Sequence, residues 1–232
     1  MTRLSSFLLI GLALLNMGAA QAMPPDQVEI TFEIRYGMMK LGVGEDHLTH
    51  DGTAYQVKSD TIPKGLAALF IDDIRRESKG SVTSSGLRPA SFVELGRKNG
   101  IRAAKFDWAN HKLQLTEGEE KKTVNLPDGA IDQVSLPYAF AFASTIPEDF
   151  KIYVTDGRRL TEYRYRIVGR ETIDSALGKI DTIHFEKVRD ADDKRSFEFW
   201  VAVGQHNLPV QMRFKDKDGR QFDSVVTAIR YP

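Results

Sequence analysis

An all-β fold of antiparallel strands, with one or two short helices, is what this 232-residue chain predicts. Three observations carry that reading. Asx-Gly pairs punctuate the chain, apolar and polar residues alternate between them, and one segment is apolar nearly all round. The pairs are Asp51-Gly52, Asn99-Gly100, Asp128-Gly129, Asp156-Gly157 and Asp218-Gly219, and strand-like runs flank four of the five. Such pairs suit type I′ hairpin turns, in which both central residues take positive φ.

A two-residue turn at each pair fixes a register. At Asp156-Gly157 it sets Phe150 opposite Tyr163, Lys151 opposite Glu162 and Val154 opposite Arg159. One face then carries Phe150, Ile152, Val154, Tyr163, Tyr165 and Ile167, and the other carries Lys151, Glu162, Arg164 and Arg166. The run "EYRYR" is thus two faces of one strand, tyrosines inward and arginines outward. At Asn99-Gly100 the same rule sets Val93 against Phe106 and Leu95 against Ala104, with Glu94 meeting Lys105. At Asp218-Gly219 it sets Met212 against Val225, Val210 against Thr227 and Leu208 against Ile229.

Alternation continues elsewhere. Val28, Ile30, Phe32, Ile34 and Tyr36 share one face, as do Phe197, Phe199, Val201 and Val203. The spacing predicts about ten to twelve strands of an antiparallel sheet or barrel. Residues 136–146 break the pattern and predict a buried helix, with Ser135 as N-cap and Pro137 in its first turn. A helix so apolar needs cover on more than one side, which a strongly curved sheet wrapped around it provides. Residues 64–70 fit a second helical turn or a strand.

The first residues read as a secretory signal: Arg3, an apolar run over 7–17, and the cleavage site Ala20-Gln21-Ala22. Cleavage after Ala22 leaves 210 residues (232 less 22), read as one exported domain spanning 23–232 in the bacterial periplasm. With zero Cys, disulfides, thiol catalysis and thiolate metal sites are excluded. Removal of Arg3 leaves 31 basic residues against 32 acidic ones, a net charge of −1 that argues against nucleic acid as partner. No stretch after residue 22 has the length of a transmembrane helix.

Several stretches resemble a known family of bacterial envelope proteins, the domain-of-unknown-function 3108 family. They are "FEIRYGMMKLGVGE" (32–45), "FDW" (106–108), "DGRRLTEYRYRIVGRE" (156–171), "LGKIDTIHFEKVRD" (177–190) and "FWVAVGQHNLPVQMRF" (199–214). The resemblance implies an exported single domain built as an open antiparallel half-barrel, similar to periplasmic lipoprotein carriers and their outer-membrane receptors. In those lookalikes helices cover a concave apolar face that accepts acyl chains. The family brings no established catalytic or binding residues with it.

Candidate chemistry is sparse. Trp108, Phe140, Phe142, Tyr163 and Tyr165 could line a hydrophobic pocket beneath the helix, against the competing reading of plain core. Trp200 has the opposite strand parity from Phe197, Phe199 and Val201, so it is expected at an edge or facing outward, as a contact surface. Arg164 and Arg166 lie in a local cluster with Arg158, Arg159 and Arg170 that could meet an anion or an acidic partner, against the reading of a solvated face offset by Glu162 and Glu171. His47, His50, Asp46 and Asp51 lack the spacing of a zinc or calcium motif, and "DKDG" at 216–219 reads as a hairpin turn. Neither a nucleophile elbow, nor a zincin helix, nor a phosphate-binding Gly-rich loop is present. The sequence therefore points to a non-enzymatic binder or carrier of an amphipathic ligand, with no cofactor and no metal. The alternatives are an envelope interaction or assembly factor with no small ligand, and a hydrolase of envelope polymers assembled from distant residues.

Overall fold

Many alternating strands that each hide one face can share that burial if their sheet bends round on itself, and this one does. A computed structural model describes residues 23–69, 72–96, 100–189 and 193–232; the expected leader and Asn99 lie outside them. The strands are β1 (Gln27–Tyr36), β2 (Met39–His50), β3 (Ala54–Pro63), β4 (Ile74–Thr83), β5 (Gly86–Gly96), β6 (Gly100–Asp107), β7 (Lys112–Glu117), β8 (Glu120–Asn125), β9 (Ile131–Asp132), β10 (Asp149–Thr155), β11 (Leu160–Ser175), β12 (Gly178–Val188), β13 (Ser196–Ala202), β14 (Leu208–Lys215) and β15 (Gln221–Arg230). All fifteen belong to one sheet, ordered β8-β7-β6-β5-β4-β3-β2-β1-β15-β14-β13-β12-β11-β10-β9. Neighbours are antiparallel, apart from the short parallel pair β9–β10.

The chain is thus two meanders joined where its first and last strands pair, from Glu29 opposite Arg230 to Tyr36 opposite Phe222. The sheet curls until its β9–β10 edge meets the inner side of β4–β6. Curvature comes from register shifts at Thr31/Phe32, Ile34/Arg35, Lys79/Gly80, Ile167/Gly169 and Trp200/Val201, since a bulge increases local twist and bends its strand. At one of them a Cβ on Gly80 would lie 2.2 Å from the Arg88 carbonyl oxygen, so no larger residue fits without a shift.

A hydroxyl–carboxylate cluster holds the curl closed. Asp132, fully buried in β9, accepts main-chain N–H bonds from Val134 and Ser135, both 2.9 Å, through Oδ1. Its Oδ2 accepts from Ser78 Oγ of β4 at 2.6 Å and Ser135 Oγ at 3.0 Å. Tyr55 of β3 completes the cluster, its hydroxyl 2.9 Å from Ser135 Oγ and 3.1 Å from Ser78 Oγ. Burying a sheet edge is tolerable only when its polar groups are met in this way.

The expected registers need correction. β10 and β11 pair Phe150 with Tyr165, Ile152 with Tyr163 and Thr155 with Leu160, two residues from expectation. An even shift leaves the faces unchanged: Val154 and Tyr165 are buried while Arg164 and Arg166 are exposed. β5 and β6 pair Val93 with Ala103 and Leu95 with Ile101, a shift of three from the expected Phe106 and Ala104. That odd shift reverses β5, so Phe92 and Glu94 are buried and Leu95 is exposed. β14 and β15 pair Met212 with Ser224 rather than Val225. For β10–β11 and β14–β15 the cause is turn chemistry. Gly52, Gly129, Gly157 and Gly219 take positive φ, but the Asp before each does not. An aspartate caps the wider turn instead: Asp156 Oδ1 accepts from the N–H groups of Arg158 and Arg159, and Asp216 Oδ1 from those of Asp218 and Arg220.

The expected helix over 136–146 is also corrected. Only Leu136–Ala139 forms a helical turn, α1, and Ser135 makes no side-chain cap because its hydroxyl belongs to the Asp132 cluster. Beyond it the chain continues in tight turns that send Phe140 onto Phe185 (4.6 Å between ring centres) and Phe142 edge-on to His50 (4.9 Å). Residues Gly65–Leu69 form a 3-10 helix.

Gly157 tests the closure, since its φ is +85° and an added Cβ would stand 2.9 Å from the Ala103 nitrogen of β6. Gly157→Val should lose more than the about 1–2 kcal/mol of a left-handed backbone, whereas Gly129→Ala, at φ +73° in open space, should lose only that. Equal losses in thermal unfolding would show that β10–β11 does not press on β6. Asp132→Ala strands buried donors at about 1–3 kcal/mol each, so urea unfolding should register a loss of at least about 2 kcal/mol.

Candidate functional site

Inside the curl a cavity of about 660 Å³ remains between the two meanders, within the size range of small-molecule pockets. The first meander supplies Ile34, Leu41 and Ile74, and the second supplies Val154, Tyr163, Tyr165, Phe197 and Met212. The α1 turn closes one side with Leu136, Pro137 and Tyr138. Next to it, Phe140, Phe185 and Phe199 fill the interior: Phe140 lies 5.4 Å from Phe199, and Phe185 stacks on Phe199 at 4.8 Å.

Polar groups enter this wall at defined places. Asp46 is buried and accepts a 2.6 Å bond from the Tyr138 hydroxyl. Burial pushes its carboxyl pKa up against the opposing hydrogen bonds from Tyr138 and Ser59. Lys187 is only 8% exposed, lies 4.9 Å over the Tyr163 ring and donates to Asp193 at 2.6 Å. That bond first, with the Arg195 N–H also contributing, holds the Asp193 carboxyl down at about 2. Tyr165 is 2% exposed, and its hydroxyl has no hydrogen-bond partner among the described residues. Burial keeps it protonated and hence a donor. Arg158 and Arg159 also line the cavity and share Asp156, at 3.2 and 3.8 Å.

Of the residues the sequence singled out, the structure brings Tyr163 and Tyr165 to the cavity. Phe140 and Phe142 are buried in packing beside it, and Trp108 stacks on Phe106 at 5.7 Å with Nε1 donating to the Pro89 carbonyl. Trp200 corrects the expectation of an outward-facing indole. It does take the opposite parity from Phe199, yet it is 3% exposed, stacked 4.0 Å from His184 and donating to Glu171. Arg164 and Arg166 are exposed, but paired with Asp149 (2.7 Å) and with Glu186. The His/Asp group disperses: His50 is buried against the Pro24 carbonyl, His47 lies 3.5 Å from Glu29, and Asp51 caps a turn. Among the described residues no group of three or more His, Cys, Asp or Glu is arranged so that it could hold a metal ion.

Sequence reasoning weighed Asp46 only as a metal ligand, and missed Lys187, Arg195 and the pairing of Tyr138 with Asp46. Lys187 carried a signal, because its inward parity follows from Phe185 two residues before. It also missed an apolar rim. Tyr36, Met38, Met39 and Phe214, at the strand ends where Ile34, Leu41 and Phe222 line the cavity, and Leu66 and Leu69, in the 3-10 helix that follows β3, are exposed. Tyr36 and Phe222 are in ring contact at 5.6 Å, which joins rim to wall.

The beta-barrel-like protein of domain of unknown function DUF1849 from Brucella abortus is similar in fold, with a TM-score of 0.57 at 9% identity over 90% of this chain and 99% of that one. Weaker similarities are found to a chain from Parabacteroides distasonis (TM-score 0.34, 12% identity, 90% of this chain, 97% of that one). A DUF1329 family protein from Desulfovibrio piger follows (0.25, 10%, 89% and 86%). No curated protein matches the sequence. The model of the family described as Protein of unknown function (DUF3108) matches residues 31–225, and the chain belongs to that family.

Asp46 gives the site a pH signature. A carboxyl whose folded pKa is raised contributes stability in full below its unfolded value of about 4, and loses it as pH rises through the folded value. Asp46→Asn removes that loss while keeping an acceptor for Tyr138. Its stability relative to wild type should therefore grow as pH rises from 4 and then level off, followed by urea unfolding across pH; a difference independent of pH would contradict the assignment.

Proposed function

We propose that this DUF3108 protein is a non-enzymatic binder or carrier of an amphipathic, lipid-like ligand, held in the cavity between the two meanders. The observation that carries the reading is the cavity itself, about 660 Å³ with a largely apolar wall and a few placed polar groups. The exposed rim supports a ligand that arrives from an apolar surrounding, because Met38, Met39, Leu66 and Leu69 hold large apolar side chains in solvent. Tyr163 and Tyr165 are the proposed ligand contacts.

The secretory character of residues 1–22 supports a mature chain, read as one domain over 23–232, that works in the bacterial periplasm. No helix among the described residues is long and apolar enough to cross a membrane. The hydroxyl-bearing residues Ser78, Ser135 and Tyr55 and the carboxylate of Asp132 do not line the cavity, so their cluster is assigned to closing the fold.

Lipids extracted from the protein after purification from periplasm, and identified by mass spectrometry, test the reading. Wild type should carry an amphiphile. Thr161→Trp, which fills the cavity from a half-buried position opposite Val154, should carry less than half as much with an unchanged melting temperature. Recovery of no amphiphile, with no uptake of the neutral reporter N-phenyl-1-naphthylamine, would refute the carrier role.

A further inference from the structure

A second cavity adjoins the first. It measures about 380 Å³ and shares Lys187 and Ser196 with the apolar one, so the two meet at the ends of β12 and β13. Its lining is of another kind, with five cationic side chains, Arg166, Lys187, Arg189, Arg213 and Lys215, against the carboxylates of Glu186 and Glu198. Part of that charge is matched: Arg166 pairs with Glu186, Arg213 with Asp223 at 2.6 Å, and Lys187 with Asp193 at 2.6 Å. Arg189 and Lys215 have no carboxylate partner among the described residues. A hollow with two cations unpaired among the described residues, opening from an apolar one through a buried lysine, has the layout of a headgroup site beside a chain site.

We infer that the two cavities form one bipartite site, in which the smaller takes the anionic headgroup, phosphate or carboxylate, of an amphiphile whose apolar chain lies in the larger. This rests on the carrier reading and adds to it the headgroup charge and its position. Cations of this kind make charge-assisted bonds to phosphate and carboxylate oxygens. Lys187 sits at the junction, its ammonium lying over the Tyr163 ring on the chain side. The unpartnered Tyr165 hydroxyl is its cross-strand neighbour, a donor placed for an oxygen near the head of the chain. Glu186 and Glu198 are the acidic groups within the hollow; Glu186 is engaged by Arg166, and Glu198 by His184 (3.2 Å) and Arg213 (3.9 Å), which leaves Arg189 and Lys215 to an incoming anion.

The test uses the mature protein and displacement of N-phenyl-1-naphthylamine by three amphiphiles of equal chain length below their micelle concentrations: dodecyl phosphate, dodecanoate and the neutral monododecanoylglycerol. The anionic pair should bind at least tenfold more tightly than the neutral one and weaken with added salt. The stronger of the two then identifies the headgroup as phosphate or carboxylate. Arg189→Gln combined with Lys215→Gln, both at the open side, should abolish that preference and leave neutral binding unchanged, while Arg164→Gln, which lines neither cavity, should leave both unchanged. Equal affinities for all three amphiphiles in wild type would overturn the headgroup assignment and leave the carrier role standing. Failure of the reporter and every amphiphile to bind would overturn both.

Discussion

The buried carboxylate of Asp132 is the constraint on which the rest of this structure depends. A sheet of fifteen strands has two edges, and exposed edges invite pairing with other chains. One edge, β8, is short, and its sequence "EKKTVN" puts Lys121 and Lys122 on the outside. The other edge is drawn inside, where Asp132 meets two main-chain N–H groups and the Ser135 hydroxyl of its own turn and, from across the curl, the hydroxyl of Ser78. That interior anchor, joined by the Gln133 side chain donating to Glu94 of β5 at 3.1 Å, holds β9–β10 against β4–β6 and so gives the space between the meanders its walls.

The size of that space bears on what it is. In a sealed apolar core a void costs about 24 cal/mol per Å³, so about 660 Å³ would amount to about 16 kcal/mol, as much as the whole stability of a typical domain. A dry, closed void of this volume is therefore excluded on energetic grounds. The wall agrees, since a pure packing defect would have no reason to carry Lys187, Arg195 and a buried Tyr165 donor.

What the sequence made legible, and what it did not, follows from which interactions are local. Period-2 alternation in β1 and β10–β11 is written in adjacent residues, and Val28, Ile30, Phe32 and Tyr165 lie inward as it requires. Register is not local in the same way. It depends on whether the Asp of an Asx-Gly pair is bent into positive φ or a carboxylate caps a wider turn, and the second happens at both hairpins, through Asp156 of its own pair and through Asp216, two residues before the Asp218-Gly219 pair. A two-residue error there left the tyrosine face intact, while an odd error at β5 exchanged Leu95 for Glu94 in the interior. The buried glutamate is held by Arg76 (2.7 Å) and Arg102 (2.9 Å), partners that no hydropathy pattern announces. Trp200 failed for a related reason: parity gave its face correctly, but His184, Glu171 and Arg213 cover that face. The cavity was least legible of all, because its walls come from residues as distant as Ile34 and Phe222, brought together by β1–β15 pairing alone.

That pairing has a consequence for how the site comes into being. Either meander can form largely from sequence-adjacent hairpins, whose contacts close short loops. The joint between β1 and β15 closes nearly the whole chain, from Glu29 to Arg230, and contacts of such separation carry the largest loop-closure cost and come late in folding. Each meander alone would present one half of the apolar wall to water. The cavity is thus a property of the completed curl: it requires the terminal strands to pair at the centre of the sheet and Asp132 to fasten the far edge. Any ligand that fills it and touches both halves must stabilise the joint as well as the wall, because its binding energy is available only to the fully closed state.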